Sequence, residues 1–411
     1  LLTLTRLGLN AFWLLLARVG AQLFALALTV LLARRLGEAG FGQYAWIAAV
    51  VALANALTTF GTDTLIIREL ARDERTTPAL LGATLWLQLA LSALWLAGVW
   101  IMPLESRELH GWLWAFSLSL IPLAFYSAFS AALRAHQRML EFALLNVAVA
   151  ALQLLGAFAF VHTPADFPIL ALVVIAAQAS GALLAGTLCA RTMPRFAVDW
   201  QLSGVILRAI LWAALPLALL TGLALAYQRL GVFALAALAG EAATGWYAAA
   251  SRLVEGLKLG HYAVMGALLP MLSRSVPGWD SARVGRGAWL WLLALSAALA
   301  ALVSLLAEPL VDVLYGARYK PSVPALKILV WSLLPYTVSA YLSVRLVAAN
   351  AEYLLLAGTL LGFIVAIGLN VWLIPQSGVA GACVSVVLSE AVLAAVLWVL
   401  SRGIERRARS V

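Results

Sequence analysis

From Pro168 to Ala190 the chain runs for more than twenty residues without one charged side chain, and eleven other stretches of similar length are nearly as apolar. About 20 apolar residues in a helix cross the ~30 Å hydrocarbon core of a bilayer. Spans are therefore expected near 10–32, 44–67, 80–102, 112–133, 142–161 and 168–190, then near 209–238, 246–273, 288–306, 326–349, 353–374 and 379–400. The composition agrees: 64% of the 411 residues are hydrophobic and 11% charged, with mean hydropathy +0.99. A soluble chain is roughly 45–50% apolar and about 25% charged, and a disordered one is more polar still. The run from Asn10 is too long for a signal-peptide core and is expected to span. The chain reads as an all-α membrane protein of twelve transmembrane helices.

The net charge of +9 is read as the excess of Lys and Arg that orients membrane helices, and nucleic acid is not expected as a partner. The segment before the first span, the loops after every second span and the tail hold 16 Lys and Arg; the opposite loops hold 6. Both termini are therefore expected in the cytoplasm, in a multi-pass membrane protein. Cys189 and Cys383 both fall in apolar runs, so no disulfide framework or zinc site is expected. No loop between the proposed spans exceeds about twenty residues, which leaves no room for an extramembrane domain. The work of this chain is expected to take place between its helices.

Half a chain length separates two similar stretches. Gly37-Glu38-Ala39-Gly40-Phe41-Gly42-Gln43-Tyr44-Ala45 recurs as Gly240-Glu241-Ala242-Ala243-Thr244-Gly245-Trp246-Tyr247-Ala248, with six of nine positions identical at an offset of 203. Arg134 with Glu141-Phe142 matches Arg345 with Glu352-Tyr353 at an offset of 211. The added eight residues fit the longer loop around 307–325. Two matches in the same order and topological position predict a duplication into halves 1–198 and 199–411. Each half has six spans, so the copies run parallel and relate by an axis along the membrane normal. Two pseudo-symmetric six-helix bundles with a pathway between them are the expected arrangement, one suited to alternating access.

Three segments resemble a known family. Ala33-Arg34-Arg35-Leu36 followed by Gly37 to Tyr44 is similar to the first-loop signature of Wzx-type polysaccharide flippases in the MOP exporter superfamily. So is Gly245 to Leu253, which runs on to Leu268-Leu269-Pro270-Met271-Leu272-Ser273-Arg274. Near the end, Asn370 to Ala382 resembles that family's link between its last two helices. The resemblance implies a V-shaped, MOP-like pair of bundles that moves lipid-linked oligosaccharides from the inner to the outer leaflet. One departure is that Gln228-Arg229-Leu230-Gly231 lacks the acidic residue that members often carry just after the arginine of the seventh span.

An ionised side chain at mid-bilayer costs at least ~2.5–3.5 kcal/mol on insertion scales, so those within spans each need a reason. The cations are Arg18, Arg229, Arg252, Lys258 and Arg345, and the acids Asp63, Glu255 and Glu390. At 100° per residue Arg252, Glu255 and Lys258 share one face of a helix. Arg229 and Glu255 lie at matched depth and are expected to pair, an arrangement that could do no more than offset its own desolvation. Arg18, Arg252 and Lys258 are expected to lack acidic partners. A net cationic cavity lined by Arg18, Arg229, Arg252, Lys258 and Arg345 would bind an anionic ligand, because Arg makes forked hydrogen bonds to phosphate. For Arg18 the competing reading is snorkelling, and for Arg345 a place at the cytoplasmic rim. Glu390, Glu255 and Asp63 are the candidates for a coupling H+ or Na+; Asp63 could equally pair with Arg68. No metal site or other cofactor is expected. Pro216 and Gly222 interrupt the seventh span and are candidate hinges.

The function these features support is transport: flipping of an undecaprenyl-pyrophosphate-linked oligosaccharide, with the lipid bilayer, a glycan polymerase and glycosyltransferases as partners. The alternative transporters are MOP-type exporters of a drug or of the peptidoglycan lipid precursor. A drug exporter calls for an acid-rich cavity, and the peptidoglycan flippase for two further helices. A membrane glycan polymerase or ligase would need a sizeable catalytic outer loop, and no paired carboxylates stand at glycosidase spacing. The chain is therefore not expected to be an enzyme.

Overall fold

In the computed structural model the described residues are all but 1, 104–105, 194–195, 202, 273–280, 349–350 and 410–411; the side chains of 2–12, 14–18, 259–272, 281–286, 288, 348, 352 and 403–409 also lie outside the description. Helices and short 3-10 turns make up the ordered elements, with no strand among the described residues. Lipid offers no partner for a backbone N–H or C=O, and a helix satisfies both within itself. Eight helices among the described residues are long and apolar enough to cross a membrane. A ninth arises if Trp289–Leu305 and Ala307–Leu314, which meet at 67°, form one broken span.

Two helical stretches are far longer than a bilayer needs. α1 (Leu2–Thr59) and the last helix, Glu352–Arg409, each have 58 residues. At ~1.5 Å per residue each would extend nearly three times the ~30 Å core if straight. Both are broken at a glycine with non-helical backbone, Gly37 (φ 71°, ψ −179°) and Gly378 (φ 55°, ψ −127°). Each break separates two of the expected spans. A positive φ is open to glycine at little cost and penalises an L side chain.

One expected span is interrupted. The stretch 44–67 stops at Phe60 (φ 49°) and Gly61 (φ 68°) before α2 (Thr62–Leu70) begins. No side chain fits at this break: a methyl at Gly61 would come within 2.8 Å of the Leu217 Cβ.

The chain forms two compact units. The first comprises residues 1–36 and 47–226. It holds most of α1, α2, α3 (Thr77–Ile101), α4 (Arg107–Ser117), α5 (Leu120–Ala135), α6 (Met139–Phe160), α7 (Phe167–Thr192) and the first part of α8 (Gly204–Leu238). Its core is built from Ile66, Leu81, Leu85, Leu133, Cys189 and Ala214, all fully buried. Polar side chains inside it bond locally. Gln88, fully buried, donates from Nε2 to Thr62 Oγ1 at 2.7 Å. Arg35 caps the end of α6 by donating to the carbonyls of Ala157, Phe158 and Val161. The extended segment after α7 returns along α3, where Asp199 N donates to Pro78 O at 3.0 Å and Trp86 Nε1 to Trp200 O at 3.1 Å.

The second unit comprises residues 37–46 and 227–411. It contains the end of α8, α9 (Glu241–Leu272), α10 (Ser281–Leu305), α11 (Ala307–Leu314), α12 (Ser322–Leu329), α13 (Leu333–Ala348) and α14 (Glu352–Arg409). Its core joins α10, α13 and α14 through Leu292, Leu342, Leu346 and Leu397. Large apolar side chains point outward from both units, among them Leu94, Trp100, Leu183, Trp291 and Val371. Water would not accept such a surface, and lipid does.

Residues 37–46 explain the close fit of the duplicated stretch. The two copies pack against one another, glycine to backbone. A methyl at Gly42 would be driven into the carbonyl of Glu241, and one at Gly245 into the carbonyl of Glu38. Glu38 and Glu241 occupy the same position in the two copies, as do Gly42 and Gly245. Each copy also opens on a glycine with positive φ, Gly37 at 71° and Gly240 at 84°.

Candidate functional site

The intramembrane charges of the second unit gather around Glu255. Arg252 and Glu255 stand three residues apart on α9, which places them on one face of the helix. Arg229 reaches them from α8. Arg229 Nη1 donates to Glu255 Oε1 at 3.0 Å, and Arg252 Nη1 donates to Glu255 Oε2 at 2.9 Å. The expected Arg229–Glu255 pair is present. Arg252, expected to have no acidic partner, takes the second oxygen of the same carboxylate. Its i,i+3 spacing from Glu255 carried that signal, and assigning the acid to Arg229 alone hid it.

Two cations on one anion leave a net positive charge. They also leave hydrogen-bonding capacity: the Nε donors of both Arg229 and Arg252 are buried and have no partner. Buried donors are nearly always satisfied, so a pair of orphans on adjacent guanidiniums marks a place where an acceptor can bind. The two arginine side chains are only about a quarter exposed, at 27% and 26%.

Three tyrosines lie within electrostatic reach of the cluster. The Arg252 charge reaches the hydroxyls of Tyr44 and Tyr315, and the Arg229 and Glu255 charges reach Tyr247. Tyr44 and Tyr247 are equivalent positions of the duplicated stretch, and that equivalence is the signal by which the sequence marks them as site residues. Gly231, two residues past Arg229, admits the Tyr247 ring: a methyl there would be driven into its hydroxyl.

One turn further along α9, Lys258 Nζ sits 4.4 Å from the centre of the Tyr336 ring of α13, a cation–π contact. Expected to lack an acid, Lys258 lies within electrostatic reach of Glu390 on α14, which is 9% exposed. Arg345, on the following part of α13, packs against the Tyr341 ring with its Cζ 6.0 Å from the centroid. The Arg18 side chain lies outside the described residues.

Asp63 belongs to the first unit. Its partner is not Arg68, which bonds Glu69 at 2.9 Å. Asp63 instead takes a short hydrogen bond from Ser127 and pairs with Arg134 Nη2 at 3.4 Å. Arg134 is held by the Phe142 ring, 5.0 Å from its Cζ. Of the proposed hinges, Pro216 and Gly222 both lie within α8, which runs unbroken from Gly204 to Leu238. The non-helical glycines stand elsewhere, at Gly37 and Gly378. No cluster of three or more His, Cys, Asp or Glu able to hold a metal ion occurs among the described residues.

Solved structures share this fold. An inward-facing multidrug resistance MATE family transporter of the MOP superfamily is 16% identical over 95% of this chain and 96% of its own, with a TM-score of 0.77. The lipid II flippase MurJ, in an inward closed conformation, is 13% identical over 94% of this chain and 86% of its own, with a TM-score of 0.74. A MOP superfamily transporter from Pyrococcus furiosus, described as having a binding pocket of reversed polarity, is 16% identical over 95% and 93%, with a TM-score of 0.61. At these identities the likeness is one of fold. No curated protein matches the sequence. The family model described as polysaccharide biosynthesis protein matches residues 7–276. That match covers well over half of the chain, and the protein belongs to the polysaccharide biosynthesis protein family.

Proposed function

We propose that the protein is a flippase for an undecaprenyl-pyrophosphate-linked oligosaccharide, built of twelve spans in two six-helix halves and working by alternating access in a bacterial cytoplasmic membrane with both termini in the cytoplasm. The observation that carries this reading is the shared carboxylate. Arg229 and Arg252 together exceed Glu255 by one charge, and each keeps a buried Nε donor without a partner. A pyrophosphate is multiply charged, rich in acceptors and matched to guanidinium forks. It can satisfy both orphan donors at once. A cationic drug would meet net repulsion there.

Lys258 and Arg345 extend the cationic set, and Arg18 completes it in this reading. Glu390 and, behind it, Glu255 and Asp63 are the carboxylates that a coupling H+ or Na+ would use. Pro216 and Gly222 give α8 its bend during the cycle. The glycan arrives from glycosyltransferases and passes to a polymerase.

The test is flipping of a fluorescent undecaprenyl-pyrophosphate-linked oligosaccharide in proteoliposomes. Wild type should flip it, and Arg229→Ala, Arg252→Ala and Lys258→Ala should each slow flipping at least tenfold. Equal rates in all four proteins would remove the phosphate site, and no flipping by wild type would remove the substrate.

A further inference from the structure

We propose that Arg402 and Trp398, stacked on an outward face of α14, form a binding site for the headgroup phosphate of an anionic phospholipid. The inference needs only that the chain spans a bilayer, and it is independent of the substrate proposed above.

The last turns of α14 have two unlike faces. Leu397 is fully buried in the core of the second unit, and the buried Ser401 donates to Trp398 O at 2.9 Å. Trp398, in contrast, is 46% exposed, and Val399 and Arg402 are exposed beside it. Arg402 ends the uncharged run that begins after Glu390, and Trp398 lies one turn before it. The pair therefore straddles the end of the span.

The packing of α14 on itself brings a third group to this level. A methyl at Gly358 would stand 2.8 Å from Leu397 Cδ2, and one at Gly362 would stand 3.4 Å from Leu393 Cβ. The two arms of the helix thus run antiparallel, in a register that sets Tyr353 level with Arg402. Tyr353 is exposed as well. Outward-facing Trp and Tyr rings at one level mark the headgroup region, where an amphipathic ring is most stable.

The pair itself favours an anion. Arg402 Cζ lies 3.7 Å from the centre of the Trp398 ring, a cation–π stack. Helical side chains lean toward the N-terminus of their helix. Here that direction is into the bilayer, so the guanidinium is held at headgroup depth instead of extending into water. Stacking covers one face of the guanidinium and leaves its N–H edge open. No carboxylate among the described residues pairs with it. Residues 403–411 add three arginines against one glutamate, so the surrounding charge is positive too.

A phosphate diester fits these conditions. The guanidinium fork takes two of its oxygens, and the indole lies against the carbons just below. A zwitterionic lipid brings the same phosphate together with a cation of its own, which the basic tail repels. An anionic lipid brings no such cation.

The test uses the full-length protein in phosphatidylcholine vesicles. Cys189 and Cys383 are fully buried, so a bimane attached at the exposed Val399→Cys reports from beside the pair. Its quenching by phosphatidylglycerol with brominated acyl chains is compared with that by brominated phosphatidylcholine at equal mole fraction. Phosphatidylglycerol should be preferred by about threefold, and the preference should fall to about one in Arg402→Gln. Arg402→Lys keeps the charge but loses the fork and the planar stack, and should fall between the two. Replacing Arg406, Arg407 and Arg409 together by glutamine should leave most of the preference in place. Equal quenching by the two lipids in the labelled parent would overturn the inference. So would a preference that survives Arg402→Gln, which would assign it to diffuse surface charge. No flipping is measured, so either result leaves the substrate reading to its own test.

Discussion

Arg229 and Arg252 hold opposite oxygens of a single carboxylate, Glu255, from two different helices. Removing that carboxylate strands two cations at once. Glu255→Gln should lower stability toward the low end of the ~3–5 kcal/mol lost when a buried pair is broken, because the site is partly open to solvent. Adding Arg252→Gln should recover part of the loss. Thermal unfolding of the detergent-solubilised variants reads this directly; a double variant less stable than Glu255→Gln would show that the pairing is not what holds the site.

The glycine crossing makes a paired prediction. Gly42→Ala and Gly245→Ala each force a methyl into a backbone carbonyl that cannot swing away. Each should cost ~1–3 kcal/mol, the range for overpacking. Once the helices have moved apart for the first methyl the second meets less resistance, so the double variant should cost less than the sum. Additive losses in a double-mutant cycle would mean that the two contacts are independent.

Gly82 lies against the Asp199 carbonyl with no room for a methyl. Gly82→Ala should therefore lift residues 196–200 from α3, breaking the Asp199–Pro78 and Trp86–Trp200 bonds. Limited proteolysis between 191 and 203 should then proceed several-fold faster than in wild type. Unchanged cleavage would place the strain elsewhere.

Glu390 and Asp63 can be separated by ion dependence. Asp63 is already committed to Arg134 and Ser127, whereas Glu390 is nearly enclosed with Lys258 within electrostatic reach. In proteoliposomes with an imposed H+ or Na+ gradient, Glu390→Gln should lose the gradient's acceleration of flipping and Asp63→Asn should keep it. The reverse pattern would move the coupling group to the first unit.

Much of this arrangement was legible in the residues. Uncharged runs located the helices, because a bilayer tolerates little else, and depth alone matched Arg229 to Glu255. The repeat at Gly37 and Gly240 announced itself by identity. What stayed hidden was contact. A repeat says that two stretches are alike, not that each seats its glycine on the other's carbonyl. Asp63 has Arg68 five residues along its own chain, while its partner, Arg134, comes from α5, 71 residues away. Two more contacts are hidden for the same reason: Tyr315 and Tyr319 stand in a loop of ordinary composition, and only the fold brings them to Ala249 and Gly37.

The bond from Tyr319 to Gly37 joins residues 282 positions apart. During synthesis, Gly37 emerges long before Tyr319 is made, so its carbonyl must wait for the Tyr319 hydroxyl. By contrast, the reversal at Gly378 is local and can form as soon as its own two helices have been translated. The bond that spans most of the sequence therefore closes late in synthesis. A chain that ends before Tyr319 lacks this bond, and its first copy of the repeat is held by the glycine crossing without it.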